Sequence, residues 1–254
     1  MGRDSSLLQI ERTWLGLIAP PLPVRMAEAG WAPDGWTEYC QRCGQTAGPH
    51  DADDTGCSTC RKHRLPWERL VRLGEFEGLL REMVLEVKFQ RWRRLGDDLG
   101  RLLGRAVGES LDRSNIPRSM ATVVPVASTW RRRTFRGIDH ALVIARGVAA
   151  GLGAPMLPAL SRLHRPSQTS LPRSDRVANV SGSFRLRPMF GYSLAGRTVV
   201  LVDDVTTTRA TLRAAAKAVG QGLKTTGANS AEGETRIWAS VLAVTPDFGR
   251  KSAG

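Results

Sequence analysis

Val199-Val200-Leu201-Val202-Asp203-Asp204-Val205-Thr206-Thr207-Thr208-Arg209-Ala210-Thr211-Leu212 is the stretch on which the fold turns. Four consecutive apolar residues read as a strand buried on both faces, the mark of a parallel sheet covered by helices. Two acids then stand at its carboxyl end, where open α/β sheets bind ligands. The Thr-rich turn after them opens a helix, whose free N–H groups and positive dipole end suit a phosphate dianion. One element can therefore hold a sugar diol and a phosphate side by side. The competing reading, acids that start a turn and cap the next helix, needs one acid and accounts for neither the second nor the Thr cluster.

Outward from this segment, strands alternate with helical patterns. Residues 121 to 128 form a β-branched apolar run, the basic loop 130 to 137 follows, and a helical pattern spans 138 to 152. Amphipathic spacing predicts helices over 78 to 89 and 95 to 111. A further helix is expected across 210 to 219 and a last strand at 237 to 244, after a connection at 220 to 234. The alternation predicts an α/β domain with a mainly parallel sheet and flanking helices. Residues 163 to 182 lack periodicity and read as a long mobile loop, a candidate lid or else a polar surface loop.

The N-terminal third differs. Residues 5 to 18 carry a broad apolar helical face, ended by Pro20, Pro21 and Pro23. The stretch 36 to 66 is rich in Gly, Asp, Thr and Cys. Cys40-x2-Cys43 and Cys57-x2-Cys60, separated by 13 residues, form two knuckles that permit tetrahedral closure around Zn²⁺, with His50 and His63 nearby. With four thiolates no ligand position stays open, so a structural ion is expected, and a redox dithiol is the alternative. The expected organisation is an N-terminal helix and linker (1–35), a zinc-ribbon module (36–66) and an α/β domain (67–250).

The chain has 254 residues, 37 Lys plus Arg against 24 Asp plus Glu, and a net charge of +13. An apolar share of 41% supports a packed core and excludes disorder throughout. Such a charge favours polyanions without choosing among nucleic acid, phosphate and pyrophosphate. Only five of the bases are Lys, so the excess rests on Arg. No segment approaches the ~20 apolar residues of a membrane span. Glu11 and Arg12 interrupt the N-terminal apolar stretch, and a cytoplasmic location without membrane association is expected.

The segment 199–212 resembles the phosphoribosyl pyrophosphate (PRPP) motif of type I phosphoribosyltransferases. The resemblance implies that Asp203 and Asp204 hold the ribose 2- and 3-hydroxyls and that Thr206, Thr207, Thr208, Ala210 and Thr211 wrap the 5-phosphate. Arg209 stands where that family has Gly, a position suited to positive φ and close backbone approach; it is counted with the PRPP-binding residues, either as a cation at the phosphate or as a distortion of the loop. The cysteine module, the helix ending near Lys88-Phe89, the stretch Val123 to Ala141, then Gln168, Leu171, Arg173, Arg176 and Asn179, and finally the 199–212 strand are together similar to the ComF competence-protein family across most of residues 36 to 246. The family's Arg-Gly-Phe-Asn-Gln reads Arg136-Gly137-Ile138-Asp139-His140 here.

That resemblance implies PRPP with Mg²⁺ as ligand, Arg131, Arg132, Arg133 and Arg136 as cations for departing pyrophosphate, and Arg165, Gln168, Arg173, Arg176 and Asn179 on a lid. Asp203, Asp204 and Arg136 would serve a phosphoribosyl (glycosyl) transfer to an unidentified acceptor. Two other roles stand beside it: a non-catalytic accessory in DNA uptake, touching single-stranded DNA or a helicase, and a PRPP-sensing regulator. A homodimer is common among such folds. No His or Glu is placed as a general base, and His140 and His164 read as surface histidines.

Overall fold

The computed structural model describes residues 20–48, 50–53, 55–89, 93–127, 139–162, 182–227 and 233–246. The chain divides into two compact units, Met1–Ala32 and Pro33–Gly254. In the first, helix α1 (Leu22–Glu28) starts directly after Pro21 with Pro23 in its first turn, where a missing N–H costs nothing. The proline run thus begins a helix as well as ending a pattern. The helix expected over 5 to 18 lies outside the described residues.

In the second unit the order is β1 (Ala52–Asp53), β2 (Gly56–Cys57), β3 (Arg69–Glu75), α2 (Gly78–Phe89), α3 (Arg93–Arg113), β4 (Ala121–Pro125), α4 (His140–Leu152), β5 (Leu160–Arg162), β6 (Phe184–Leu186), α5 (Gly191–Leu194), β7 (Thr198–Thr206), α6 (Ala210–Thr225) and β8 (Arg236–Val244). Strands β3, β8, β7 and β4 form one sheet in that order, with every pairing parallel. The α/β class with a parallel sheet, expected from the alternation of strands and helices, is the one observed. The two central strands are apolar almost throughout: Val199, Val200, Leu201 and Val202 of β7, and Trp238 through Val244 of β8, are buried. Helices on both faces remove them from water, at about 25 cal/mol for each Å² of apolar surface.

Strand β3 is not legible in the sequence. It supplies the edge beside β8, with Leu70 opposite Ala239 and Arg72 opposite Val241, yet its core carries Arg72, only 1% exposed, which breaks the apolar run that would announce it. The antiparallel ribbon β5–β6, with Leu160 opposite Leu186, brackets residues 163–181; the lid expected there lies outside the described residues.

Helices α3 and α4 approach until their backbones touch. A Cβ added at Gly100 would come within 2.3 Å of the Ile144 carbonyl oxygen, one at Gly104 within 2.3 Å of that of Val148, and one at Gly147 within 2.2 Å of that of Asp97. Glycine is required at these positions by contact, despite its helix penalty of about 1 kcal/mol. Among the described residues, no helix is long and apolar enough to cross a membrane.

Candidate functional site

Strand β4 stops at Pro125, paired with Val202 of β7. Beyond that point β7 has no strand partner on its β4 side among the described residues, and the next two residues are Asp203 and Asp204. Both are half-buried, at the carboxyl end of an inner parallel strand, the place open α/β sheets reserve for ligands. Their backbone pairing to β8 persists: Asp203 lies opposite Val241 and Val205 opposite Ala243. The rigid strand thus fixes where the carboxylates stand.

The carboxylates interlock with the backbone. Asp204 N–H donates to Asp203 Oδ1 at 3.0 Å and Val205 N–H to Asp204 Oδ1 at 2.6 Å. Lys88, at the end of α2, places Nζ 3.1 Å from Asp204 Oδ2. Burial, reinforced by the neighbouring Asp204 charge, pushes Asp203 up to about 7, against the pull of Lys88 and of Arg162 on β5. A carboxylate raised toward neutrality by burial and a like charge is characteristic of functional sites. Lys88 and Arg162 were not among the residues the sequence marks for this site. One of only five lysines in an Arg-rich chain, at the end of an amphipathic helix, Lys88 carries the one signal that could have drawn notice.

After Asp204 the chain runs Val205 and Thr206 to the strand end. Thr206 is 4% exposed and its carbonyl accepts from Thr245 N–H at 2.9 Å, so it belongs to the sheet. Thr207 and Thr208 are exposed. Arg209 takes φ 60°, ψ 6° and starts α6, with Ala210 and Thr211 in its first turn. The left-handed backbone that a Gly would allow at this position is adopted here by an arginine. Its side chain turns away toward the cysteine module, donating from Nε to the Cys43 carbonyl at 2.9 Å.

Cys40, Cys43, Cys57 and Cys60 are buried and free of disulfides. Their sulfurs all lie within 4.8 Å of one another, with Cys40–Cys60 and Cys43–Cys57 at 3.6 Å. Tetrahedral ligation at ~2.3 Å requires sulfurs about 3.8 Å apart, so the cluster could hold a structural metal such as zinc. Two glycines shape it: Gly44, at φ 76°, where a Cβ would lie 2.5 Å from Leu70, and Gly56, at φ 106°, where it would lie 2.4 Å from Cys60 Sγ. The hydrogen bond with the Cys43 thiol lowers Cys40, while burial raises Cys60. A divalent ion would take all four as thiolates.

The first knuckle is tied to the sheet residue by residue. The carbonyl of Gln41 accepts from Leu70 N–H at 2.7 Å, that of Arg42 from Trp67 Nε1 at 2.9 Å, that of Cys43 from Arg209, and that of Gly44 from Arg72 Nη1 at 2.7 Å. Arg72 also pairs with Asp34 at 2.6 Å and stacks on Tyr39 with its guanidinium 5.0 Å from the ring. Of the basic residues around the knuckles, Arg42 donates to the Thr55 carbonyl at 2.6 Å and Arg61 pairs with Asp53 at 2.8 Å.

Arg131, Arg132, Arg133 and Arg136, and the candidate lid residues Arg165, Gln168, Arg173, Arg176 and Asn179, lie outside the described residues, as does His164. His140 is a correction: it is 8% exposed at the first turn of α4, because the chain enters that helix with its opening residues facing inward.

No protein-family model matches this sequence. The chain is similar to competence protein F of Haemophilus influenzae, with 28% identity over 184 residues, 70% of this chain and 77% of that protein. It is 29% identical over 177 residues to the DNA utilization protein YhgH of Salmonella typhi (68% and 74%) and 26% identical over 176 residues to that of Escherichia coli K12 (68% and 74%). Among solved structures it is similar to the allosteric regulatory enzyme of purine biosynthesis (TM-score 0.33, 16% identity) and the B. subtilis glutamine PRPP amidotransferase complexed with ADP and GMP (0.34, 18%). In each case the match covers 57% of this chain and 25% of the other. A Neisseria gonorrhoeae hypothetical protein with bound ppGpp is also similar (0.34, 15%, covering 62% and 74%). The similarity to competence protein F and to the DNA utilization proteins is sustained over some 70% of the chain.

Proposed function

We propose that this protein binds PRPP at the end of β7 and presents it for phosphoribosyl transfer to a nitrogen nucleophile. The observation that carries the reading is the pair Asp203–Asp204 at the open carboxyl end of an inner parallel strand, followed directly by a Thr-containing turn that starts a helix. Two carboxylates accept hydrogen bonds from vicinal ribose hydroxyls. The Thr207 and Thr208 hydroxyls and the first N–H groups of α6 receive the 5-phosphate. Lys88 lies beside the acids and would offer a cation to the pyrophosphate.

The paired carboxylates also suit a hard cation with few protein ligands, so Mg²⁺ fits their oxygen donors. When bound, it neutralises charge on the pyrophosphate. Arg131, Arg132, Arg133 and Arg136 would add cations on the same rim, and Gln168, Arg173 and Arg176 would close over the ligand to exclude water from an oxocarbenium-like transition state. The cysteine cluster is proposed to hold zinc as a structural ion.

A second reading, participation in DNA uptake or utilisation through single-stranded DNA or a helicase, is favoured by the relatives' names and the net charge of +13. Regulation by PRPP without turnover is the variant of the first reading in which the diol and phosphate grip is kept and chemistry is lost.

The deciding experiment is a thermal melt of the zinc-loaded chain with and without Mg²⁺-PRPP, beside the double variant Asp203→Asn, Asp204→Asn. At one hundred times its dissociation constant a ligand adds about 2.7 kcal/mol to the folded state, and a rise of several degrees in wild type but not in the variant is expected. No rise in either removes PRPP as the ligand. A steeply salt-dependent affinity for single-stranded DNA would then make the second reading the leading one.

A further inference from the structure

We propose that Arg209 is a positioning residue through which the four-cysteine centre and the phosphate loop control one another. The inference rests on the PRPP reading of that loop. It adds a connection between the loop and a metal cluster that takes no part in the chemistry.

Residue 209 decides where the loop points. Its own φ and ψ set the direction in which the chain enters α6, and its carbonyl accepts the first intrahelical bond, from Arg213 N–H at 2.9 Å. The N–H groups offered to an anion are those of the residues immediately after it. A left-handed conformation disfavours a side chain with a Cβ, and the guanidinium of this arginine is held from outside. The acceptor is the carbonyl of Cys43, a residue whose sulfur belongs to the cluster.

Two consequences follow from that geometry. Four thiolates around one divalent ion carry a net negative charge, which favours a guanidinium docked on the backbone of one ligand. Ligation also fixes the first knuckle, and with it the position of the carbonyl to which Arg209 is moored. Loss of the ion would remove that restraint and leave the mooring to the knuckle's contacts with the sheet. An anion that orders the loop would, by the same connection, fix the knuckle and retain the metal, since coupling between two sites is reciprocal.

The test uses the full zinc-loaded chain, Arg209→Gly, which accepts φ 60° without a side chain, and Arg209→Lys, which keeps a charge but loses the planar Nε donor. Zinc release to a chromogenic chelator is followed with and without saturating Mg²⁺-PRPP, and PRPP affinity is measured separately by calorimetry. Cobalt(II)-loaded protein is titrated with Mg²⁺-PRPP while its d–d bands are recorded. In wild type, Mg²⁺-PRPP is expected to slow zinc release by about fivefold or more and to shift the cobalt spectrum. At a Mg²⁺-PRPP concentration saturating for each variant, whatever its affinity, both should show neither effect.

PRPP binding to wild type with unchanged zinc release and an unchanged cobalt spectrum overturns the coupling and leaves the PRPP reading intact. Full coupling in Arg209→Gly overturns the assignment to Arg209. Absence of any PRPP binding to wild type overturns both. The wild-type arms decide whether the two sites are coupled, and either variant that folds decides whether the coupling runs through Arg209.

Discussion

Lys88 Nζ stands 3.1 Å from Asp204 Oδ2, joining the last turn of α2 to the carboxyl end of β7. Neither group is fully buried, at 19% and 23% side-chain exposure, so the pair lies between the surface case, worth little, and the interior case, where a lost partner is costly. Replacing Lys88 by Met should lower stability by about 1 kcal/mol, read by urea denaturation. It should also weaken Mg²⁺-PRPP about tenfold or more, because a cation beside the pyrophosphate is lost. Undiminished PRPP affinity in Lys88→Met would remove this lysine from the ligand site.

Asp203 gives a pH dependence with a definite sign. Its carboxyl is held up to about 7 in the folded chain, mainly by burial and by the Asp204 charge, against an ordinary value near 3.8. Between these values the folded state holds a proton that the unfolded state has released, so stability falls as pH rises from about 4 to about 7. Below that window both states are protonated and the cost vanishes; above it the full cost remains. Asp203→Asn in the ligand-free protein should therefore melt higher than wild type at pH 8, with the difference closing toward pH 4. Parallel melting curves across that range would show that Asp203 titrates as an ordinary carboxylate.

Arg72 is 1% exposed on strand β3 and gathers Gly44, Asp34, Thr46 and the Tyr39 ring around its guanidinium. Arg72→Met keeps much of the volume and leaves Asp34 without its cation and the Gly44 carbonyl without its donor. A loss of about 3 kcal/mol is expected in urea denaturation of the zinc-loaded protein. Adding Asp34→Asn to Arg72→Met should return part of it. A loss within experimental error would mean that the cysteine module is held by its other three carbonyl contacts alone.

Much of the fold was legible because its signals are local. The run Val199–Val202, the helical spacings of α2, α3 and α4, and the final strand each write their burial into a few adjacent residues, and the structure has them close to where they were expected. Strand β3 escaped because its central residue is a buried arginine whose partners come from the cysteine module, more than twenty residues earlier in the chain. The packing of α3 on α4 escaped for a similar reason: Gly100 and Gly147 look like helix-weakening residues until their backbones meet.

The candidate site divides in the same way. The sequence alone determined the two acids, the Thr-rich turn and the two cysteine knuckles, since each is a matter of residue type and spacing within one segment. Only the tertiary structure decided that Lys88 and Arg162 act on the acids, that Thr206 belongs to the sheet, and that Arg209 reaches the backbone of Cys43. Those are contacts between segments dozens to more than a hundred residues apart, set by strand order and by the docking of the cysteine module on the sheet, and no local pattern in a chain encodes such distances.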